Sequence, residues 1–349
     1  MNAQTTDRGA ALDDFLLAAG WAAAARQAMA GDASGRRYLR LRDDRGSAVL
    51  MDWPPPHLAA RFVDLAGALR AEGLHAPAVL AADREAGFLL LEDLGPQTFA
   101  DRLDAGASPE PLYALAVDLL IALRQRASAP WGGFDLPHYD ADLFCGQATL
   151  YLETVFPVLT GRAATVREGE EFEAALRAAL MCNAETAPIL MLRDYFPGNL
   201  VWHAAGAGLA RAGLIDFQDA GLGPAAYDLV SLLQDARRPV PVDLAEAMLA
   251  RYGAAFPQDD PALFRRQFDA LAAVRHLRVL AVFQRLCEAG RPHYGSYLPH
   301  IGGLLARSLA RPGLETLRDW FDRTGISPAS VPGSPPPAAG ASPGPSGTD

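Results

Sequence analysis

A chain of 349 residues, half of them apolar, is long enough to bury two cores, and a net charge of -10 excludes a surface built for nucleic acid. No apolar run approaches the roughly 20 residues of a membrane span, and no basic start precedes an apolar stretch at the N-terminus, so a soluble, cytoplasmic protein is expected. The three cysteines, Cys145, Cys182 and Cys287, lie too far apart for metal-ligand spacing and read as reduced thiols. Every basic side chain apart from histidine is arginine, so no lysine is available as a phosphate ligand or a base.

In chain order, residues 12–30 read as an amphipathic helix with Asp13 and Asp14 near its positive end. A glycine-flanked turn from Gly31 through Ser34 and Gly35 to Arg37 leads into alternation over Tyr38–Arg42. A turn at Asp43–Gly46 and a second strand over Ala48–Met51 complete a hairpin signal. Glycine removes the Cβ obstruction, so backbone N–H groups of the first turn can approach an oxyanion; an ordinary helix-to-strand turn reads the same way. Residues 57–72 form a helix, and residues 78–82 and 88–91 two further strands. Glu92-Asp93-Leu94-Gly95 then interrupts the pattern where a crossing between lobes belongs.

From Pro109 onward the pattern is helical, over 109–126, 140–159 and 168–183. Short strands break it over 189–216, and helices resume at 224–235, 242–252, 261–289, 297–311 and 314–323. From about Ser327 the composition is Pro, Gly, Ser and Ala, which reads as a disordered tail. The expected organisation is a small sheet lobe over 1–94, a helical lobe over 95–326 and the tail 327–349.

The residues that carry chemistry fall between Met191 and Ala236. Taking Leu200–Trp202 and Leu214-Ile215 as hairpin arms with Gly206-Ala207-Gly208 at the turn places Asn199 opposite Asp216. An amide oxygen beside a carboxylate suits a hard divalent cation. Asp194 stands on the preceding loop, shaped by Pro197 and Gly198. In a phosphotransferase of the kinase type, one aspartate receives the hydroxyl proton while an asparagine and a second aspartate hold magnesium. Asp228, at a helix start after Gly223-Pro224, is expected to accept hydrogen bonds from the catalytic-loop backbone as structural support.

Asp194-Tyr195-Phe196-Pro197-Gly198-Asn199-Leu200, Ile215-Asp216-Phe217 and Pro224–Leu229 resemble the aminoglycoside phosphotransferase superfamily. Gly31–Ser34 with Arg36-Arg37-Tyr38, Met51–Pro55, Leu91–Gly95, Asp216–Ala220, Arg275–Arg278 and Phe283–Leu286 are similar to its bacterial N-acetylmuramate/N-acetylglucosamine anomeric kinases. The resemblance, over roughly residues 12–322, implies an α+β, protein-kinase-like bilobal fold. It further implies an ATP- and Mg2+-dependent kinase that phosphorylates the anomeric hydroxyl of a small-molecule amino sugar in cell-wall recycling. By it, Asp194 is the catalytic base, and Asn199 and Asp216 bind magnesium. Gly31, Ser34 and Gly35 cover the phosphates, and Glu92–Leu94 meet the adenine through their backbone. The chain departs from the pattern at Leu192, where many relatives place His, and in lacking the phosphate-binding lysine; Arg37 or Arg40 is the expected replacement. Arg275 and Arg278 share a helix face that would suit a lactyl carboxylate, although a solvated face reads equally well. An aminoglycoside or amino-alcohol kinase, and a nucleotide-binding pseudokinase, are the alternatives.

Overall fold

The computed structural model describes residues 3–29, 36–53, 56–126 and 136–333. Gly31, Ser34 and Gly35, and residues 334–349 of the expected tail, lie outside the described residues.

Helix α1 (Ala3–Ala18) ends before Gly20, which takes a left-handed φ of 76°. The chain then forms strand β1 (Ala25–Ala28), whose four residues are exposed. The expected helix over 12–30 is thus corrected at both ends. The alanine-rich segment has helix propensity but no apolar stripe to bury, and pairing with a sheet edge satisfies its backbone instead. Strands β2 (Arg37–Asp43) and β3 (Gly46–Asp52), helix α2 (Pro56–Ala71), and strands β4 (Val79–Asp83) and β5 (Phe88–Glu92) follow. The five strands form one antiparallel sheet in the order β1-β2-β3-β5-β4.

Strand alternation divides this sheet into two faces. Leu41 of β2, Ala48 and Leu50 of β3, and Phe88 and Leu90 of β5 form a core with Leu12 and Leu16 of α1; Leu39 packs against it. Asp52, buried on β3, receives Nε of Arg8 and Nε of Arg37, each at 2.9 Å. Residues of β2 with even numbers face the other way.

Helices α3 (Phe99–Asp104) and α4 (Pro109–Gln125) come next, then α5 (Ala141–Ala148), α6 (Leu150–Thr160) and α7 (Val166–Leu180). The single helix expected over 140–159 is two. At the break, the Thr149 hydroxyl donates to the Gly146 carbonyl at 2.9 Å, a local bond that competes with the helical ladder. Strands β6 (Ile189–Met191), β7 (Leu200–Trp202), β8 (Ala212–Leu214) and β9 (Gly221–Gly223) form two small antiparallel pairs, β6 with β9 and β7 with β8. Helices α8 (Ala226–Leu233), α9 (Val242–Ala254), α10 (Pro261–Glu288), α11 (Leu298–Leu309) and α12 (Glu315–Thr324) complete the chain. No helix among the described residues is long and apolar enough to cross a membrane.

The chain divides into two compact units. The first comprises Met1–Tyr139, Ala187–Asp235 and Val240–Pro261; the second comprises Asp140–Thr186, Ala236–Pro239 and Ala262–Asp349. The first holds the five-stranded sheet together with the segments that carry Asp194, Asn199 and Asp216. Within it, Arg251 of α9 grips Asp118 of α4 through two bonds of 2.7 and 2.8 Å.

The second unit is built on aromatic rings. Phe172 and Trp320 lie 4.6 Å apart, Tyr151 and Phe321 5.9 Å, and the Trp320 indole donates to the Glu168 carbonyl at 2.8 Å. Of residues 327–333, assigned to the tail by composition, one apolar side chain packs here. Val331 is buried, and an added Cβ on Gly302 would lie 2.8 Å from its Cγ1.

Helix α7 opens with a reciprocal cap: Thr165 Oγ1 accepts from the Glu168 N–H, and Glu168 Oε2 accepts from the Thr165 N–H at 2.7 Å. The Arg162 guanidinium beside Glu168 and the Thr165 N–H hold its carboxyl at about 2, against an ordinary 4.5. A depressed folded pKa stabilises above the unfolded value and is lost as pH falls through the folded one. Glu168→Gln is therefore expected to cost about 1 kcal/mol in urea unfolding at pH 7. The same variant should flatten the pH dependence of stability between 4.5 and about 2.

Candidate active site

The β7–β8 ladder opposes Leu200 to Leu214 and Trp202 to Ala212, so Asn199 faces Ile215, whose N–H reaches the Asn199 carbonyl at 3.2 Å. The expected pairing of Asn199 with Asp216 is one residue out of register, and alternation alone would send Asp216 to the opposite face. The two side chains meet for a different reason. Asp216 takes a left-handed φ of 61°, leaves the extended conformation, and turns its carboxylate back. Asn199 Nδ2 donates to Asp216 Oδ2 at 3.3 Å and to the Asp194 carbonyl at 2.8 Å. Both partners are acceptors, so the amide nitrogen must face them and Oδ1 is left for another ligand.

Asp194 is half-buried on the same loop, and among the described residues nothing donates a hydrogen bond to its carboxylate. The loop is held rigidly. Pro197–Asn199 forms one tight turn closed by the Asn199 N–H on the Phe196 carbonyl at 2.9 Å. Gly198 lies so close to the Phe196 ring that a Cβ would stand 2.5 Å from it. Tyr195, fully buried, donates its hydroxyl to the Ala116 carbonyl at 2.7 Å.

Arg193 is, glycines aside, the other described residue at positive φ, 71°, and Asp228 braces the turn it makes. Asp228, buried in the first turn of α8, accepts the Leu192 N–H at 2.6 Å and the Arg193 N–H at 2.8 Å. Asparagine offers one acceptor and turns an NH2 group toward the second amide. Asp228→Asn is accordingly expected to destabilise the protein by about 2–3 kcal/mol in urea unfolding, with a loosened loop.

A cavity of about 260 Å³ opens beside this site, lined by Tyr38, Arg40 and Val49 of the sheet, Leu91–Gly95, and Asn199, Ile215 and Asp216. Among the described residues nothing hydrogen-bonds the Leu94 backbone, whereas the Glu92 N–H is taken by the Ala78 carbonyl at 2.8 Å. The Glu92 carboxylate accepts the Ala78 N–H at 3.0 Å and meets Arg70 at 3.1 Å. Of the residues assigned there, Leu94 thus has a free backbone N–H and Glu92 does not. Gly213 leaves room for Leu94, whose Cδ1 would lie 2.7 Å from an added Cβ. Phe217 stacks on Phe62 of α2 at 4.8 Å, fixing the segment after Asp216 against that helix.

The two arginines expected to replace the lysine have other partners. Arg37 lies on the α1 face against Asp52. Arg40 lines the cavity but is locked to Asp93, at 2.9 Å, and to the Gly95 carbonyl, also at 2.9 Å. The arginine that reaches the site is Arg36: its Nη2 lies 2.6 Å from Asp216 Oδ1. Its guanidinium sits 5.0 Å over the Trp53 ring, and the residue is 6% exposed. Gln218, also buried, donates Nε2 to the same Oδ1 at 3.0 Å and has no hydrogen-bond partner for Oε1 among the described residues. Parity was the usable signal for Arg36, which shares its number class with Tyr38 and Arg40. Arg275 and Arg278 belong to α10, in the second unit; Arg275 is buried and Arg278 half-buried, so Arg275 is no solvated surface residue.

No group of three or more His, Cys, Asp or Glu side chains able to hold a metal occurs among the described residues. One carboxylate and one amide oxygen fit magnesium, which is held by few protein ligands and completes its shell with phosphate and water.

Comparison with known proteins gives the family. A family model described as a phosphotransferase enzyme family matches residues 26–268. An N-acetylmuramate/N-acetylglucosamine kinase of Caulobacter vibrioides is 36% identical, over 91% of this chain and 97% of that protein. One of Pseudomonas aeruginosa is 34% identical over 86% and 89%. A microcompartment-associated aminopropanol kinase shares the kinase-like fold, with a TM-score of 0.60 and 16% identity over 88% of this chain and 95% of that one. With most of its length under the family model and along these relatives, the chain belongs to the phosphotransferase enzyme family.

Proposed function

We propose that this phosphotransferase uses ATP and magnesium, in the cytoplasm, to phosphorylate the anomeric hydroxyl of N-acetylmuramate and N-acetylglucosamine during cell-wall recycling. The observation that carries the phosphoryl-transfer part is the grouping of Asp194, Asn199 and Asp216, linked through Asn199 Nδ2, beside a cavity that ends at Leu94. The sugar rests on relatives at 36% and 34% identity that are named for it. In this reading residues 1–94 bind the nucleotide and residues 95–326 carry catalysis and the sugar.

Each residue then has a physical task. Asp194, with no protein donor on its carboxylate among the described residues, accepts the proton of the sugar hydroxyl and aims its oxygen in line. Asn199 and Asp216 present oxygens to the metal, which when bound neutralises charge on the transferring phosphoryl group. Leu94 offers backbone N–H and carbonyl groups to adenine, and the apolar walls formed by Val49, Leu91 and Ile215 cover its faces. Gly31, Ser34 and Gly35 are proposed to close over the phosphates. Asp228 holds the loop that carries Asp194.

A kinase assay over a panel of sugars and amino alcohols tests the acceptor, with ³¹P NMR before and after mild acid. An anomeric phosphate hydrolyses in mild acid and an ordinary phosphomonoester survives, so an acid-stable product excludes the anomeric position. Asp194→Asn should lower kcat by about 10²–10⁴ with little change in nucleotide affinity. For sugar selection, Arg275 and Arg278 are the proposed partners of the lactyl carboxylate that N-acetylmuramate has and N-acetylglucosamine lacks. Arg275→Met is expected to raise KM for N-acetylmuramate by about tenfold and leave that for N-acetylglucosamine nearly unchanged. An equal rise for both sugars would assign the buried Arg275 to packing.

A further inference from the structure

We infer that Arg36 is the phosphate-binding cation of this lysine-free site, and that it exchanges Asp216 for the nucleotide phosphates when a divalent metal arrives, which couples metal and nucleotide binding. The inference rests on the nucleotide site proposed above.

Three arginines lie on or just before β2, and their partners distinguish them. Arg37 shares Asp52 with Arg8 on the core face, and Arg40 joins β2 to Asp93 and Gly95. Both of those carboxylates are without a part in the chemistry, and ligand binding gives them no reason to release their arginines. Arg36 alone is paired with a proposed metal ligand, at 2.6 Å. Its guanidinium lies 5.0 Å over the ring of buried Trp53, a cation–π contact that holds the cation at the edge of the site.

The Asp216 carboxylate is crowded with donors. Oδ1 receives Arg36 and Gln218, and Oδ2 receives Asn199. A divalent cation that comes alone meets a carboxylate already neutralised by a guanidinium, and like charges oppose it at short range. A nucleotide that comes alone draws Arg36 toward its phosphates and leaves Asp216 facing them as an unbalanced anion. When both arrive, Asp216 turns to the metal and Arg36 to the phosphates, and neither charge is stranded. Each ligand therefore favours the other, and this coupling is reciprocal.

The test is binding, without turnover, on the full chain. Mn2+ binding without nucleotide is followed by electron paramagnetic resonance, and ADP binding in excess Mg2+ by calorimetry, for the wild type, R36M and R36K. Removing the competing cation should tighten Mn2+ about threefold or more in R36M while ADP weakens about tenfold or more. R36K, which keeps charge without the planar fork, should fall between. Circular dichroism confirms that each variant is folded. Opposite shifts are the signature, because a merely damaged site loses both ligands together. ADP affinity unchanged within twofold in R36M, or Mn2+ and ADP weakened in parallel, overturns the exchange. R36K as weak for ADP as R36M overturns the role of charge. Failure of the wild type to bind ADP at all would instead overturn the nucleotide site itself.

Discussion

The carboxylate of Asp216 is the point on which this site depends, and it is in place because one residue abandons the strand. With φ at 61°, Asp216 does what an aspartate does at a local cost and what the β7–β8 ladder would forbid. Three donors then converge on it from separate parts of the chain: Arg36 from just before β2, Asn199 from the loop after Asp194 and Gln218 from the segment that follows. A left-handed aspartate costs of order 1–3 kcal/mol, and such a conformation persists only where its surroundings enforce it. Here they do, through these bonds and through Phe217 stacked against Phe62.

A second strained residue, Arg193, is held by the same principle from the other side. Asp228 takes two successive backbone N–H groups of the loop on its two oxygens, so the turn before Asp194 is set by a buried charge rather than by its own sequence. Among the described residues, the two positive-φ positions that are not glycine are thus each fixed through a carboxylate, Arg193 by that of Asp228 and Asp216 by the donors on its own. The position before Arg193 is filled by buried Leu192, which contributes its N–H to Asp228; a backbone group serves there whatever the side chain.

Much of this was readable from residue order. The motif set Asp194, Asn199 and Asp216 named the chemistry, and Asp228 was assigned to the loop backbone it does brace. The nearness of Asn199 and Asp216 was also anticipated, but through a register that the ladder does not have. Hairpin arithmetic assumes regular strands to the last residue, and the left-handed turn that actually brings the pair together leaves no mark in composition. Strand β1 was hidden for a related reason: Ala25–Ala28 reads as helix by propensity, and only the open edge of β2 makes it a strand. The packing of Val331 on Gly302 was hidden too, since proline-rich composition says nothing about one apolar side chain meeting one glycine.

The absent lysine shows how far alternation can be pushed. In β2, Leu39 and Leu41 belong to the core face, so Arg37 belongs there as well, and only even-numbered residues can address the cavity. Arg40 satisfies that parity and yet is spent on Asp93 and Gly95, at the crossing beneath Leu94. One step of two residues toward the N-terminus reaches Tyr38, a cavity wall, and the next reaches Arg36. A cation placed there approaches the site from the end of a strand rather than from its middle. Its reach depends on a long planar side chain, steadied by Trp53, in place of the shorter and more flexible ammonium. On the exchange inferred above, replacing lysine by arginine is a change of position as well as of charge chemistry, and the tryptophan under the guanidinium belongs to the same arrangement.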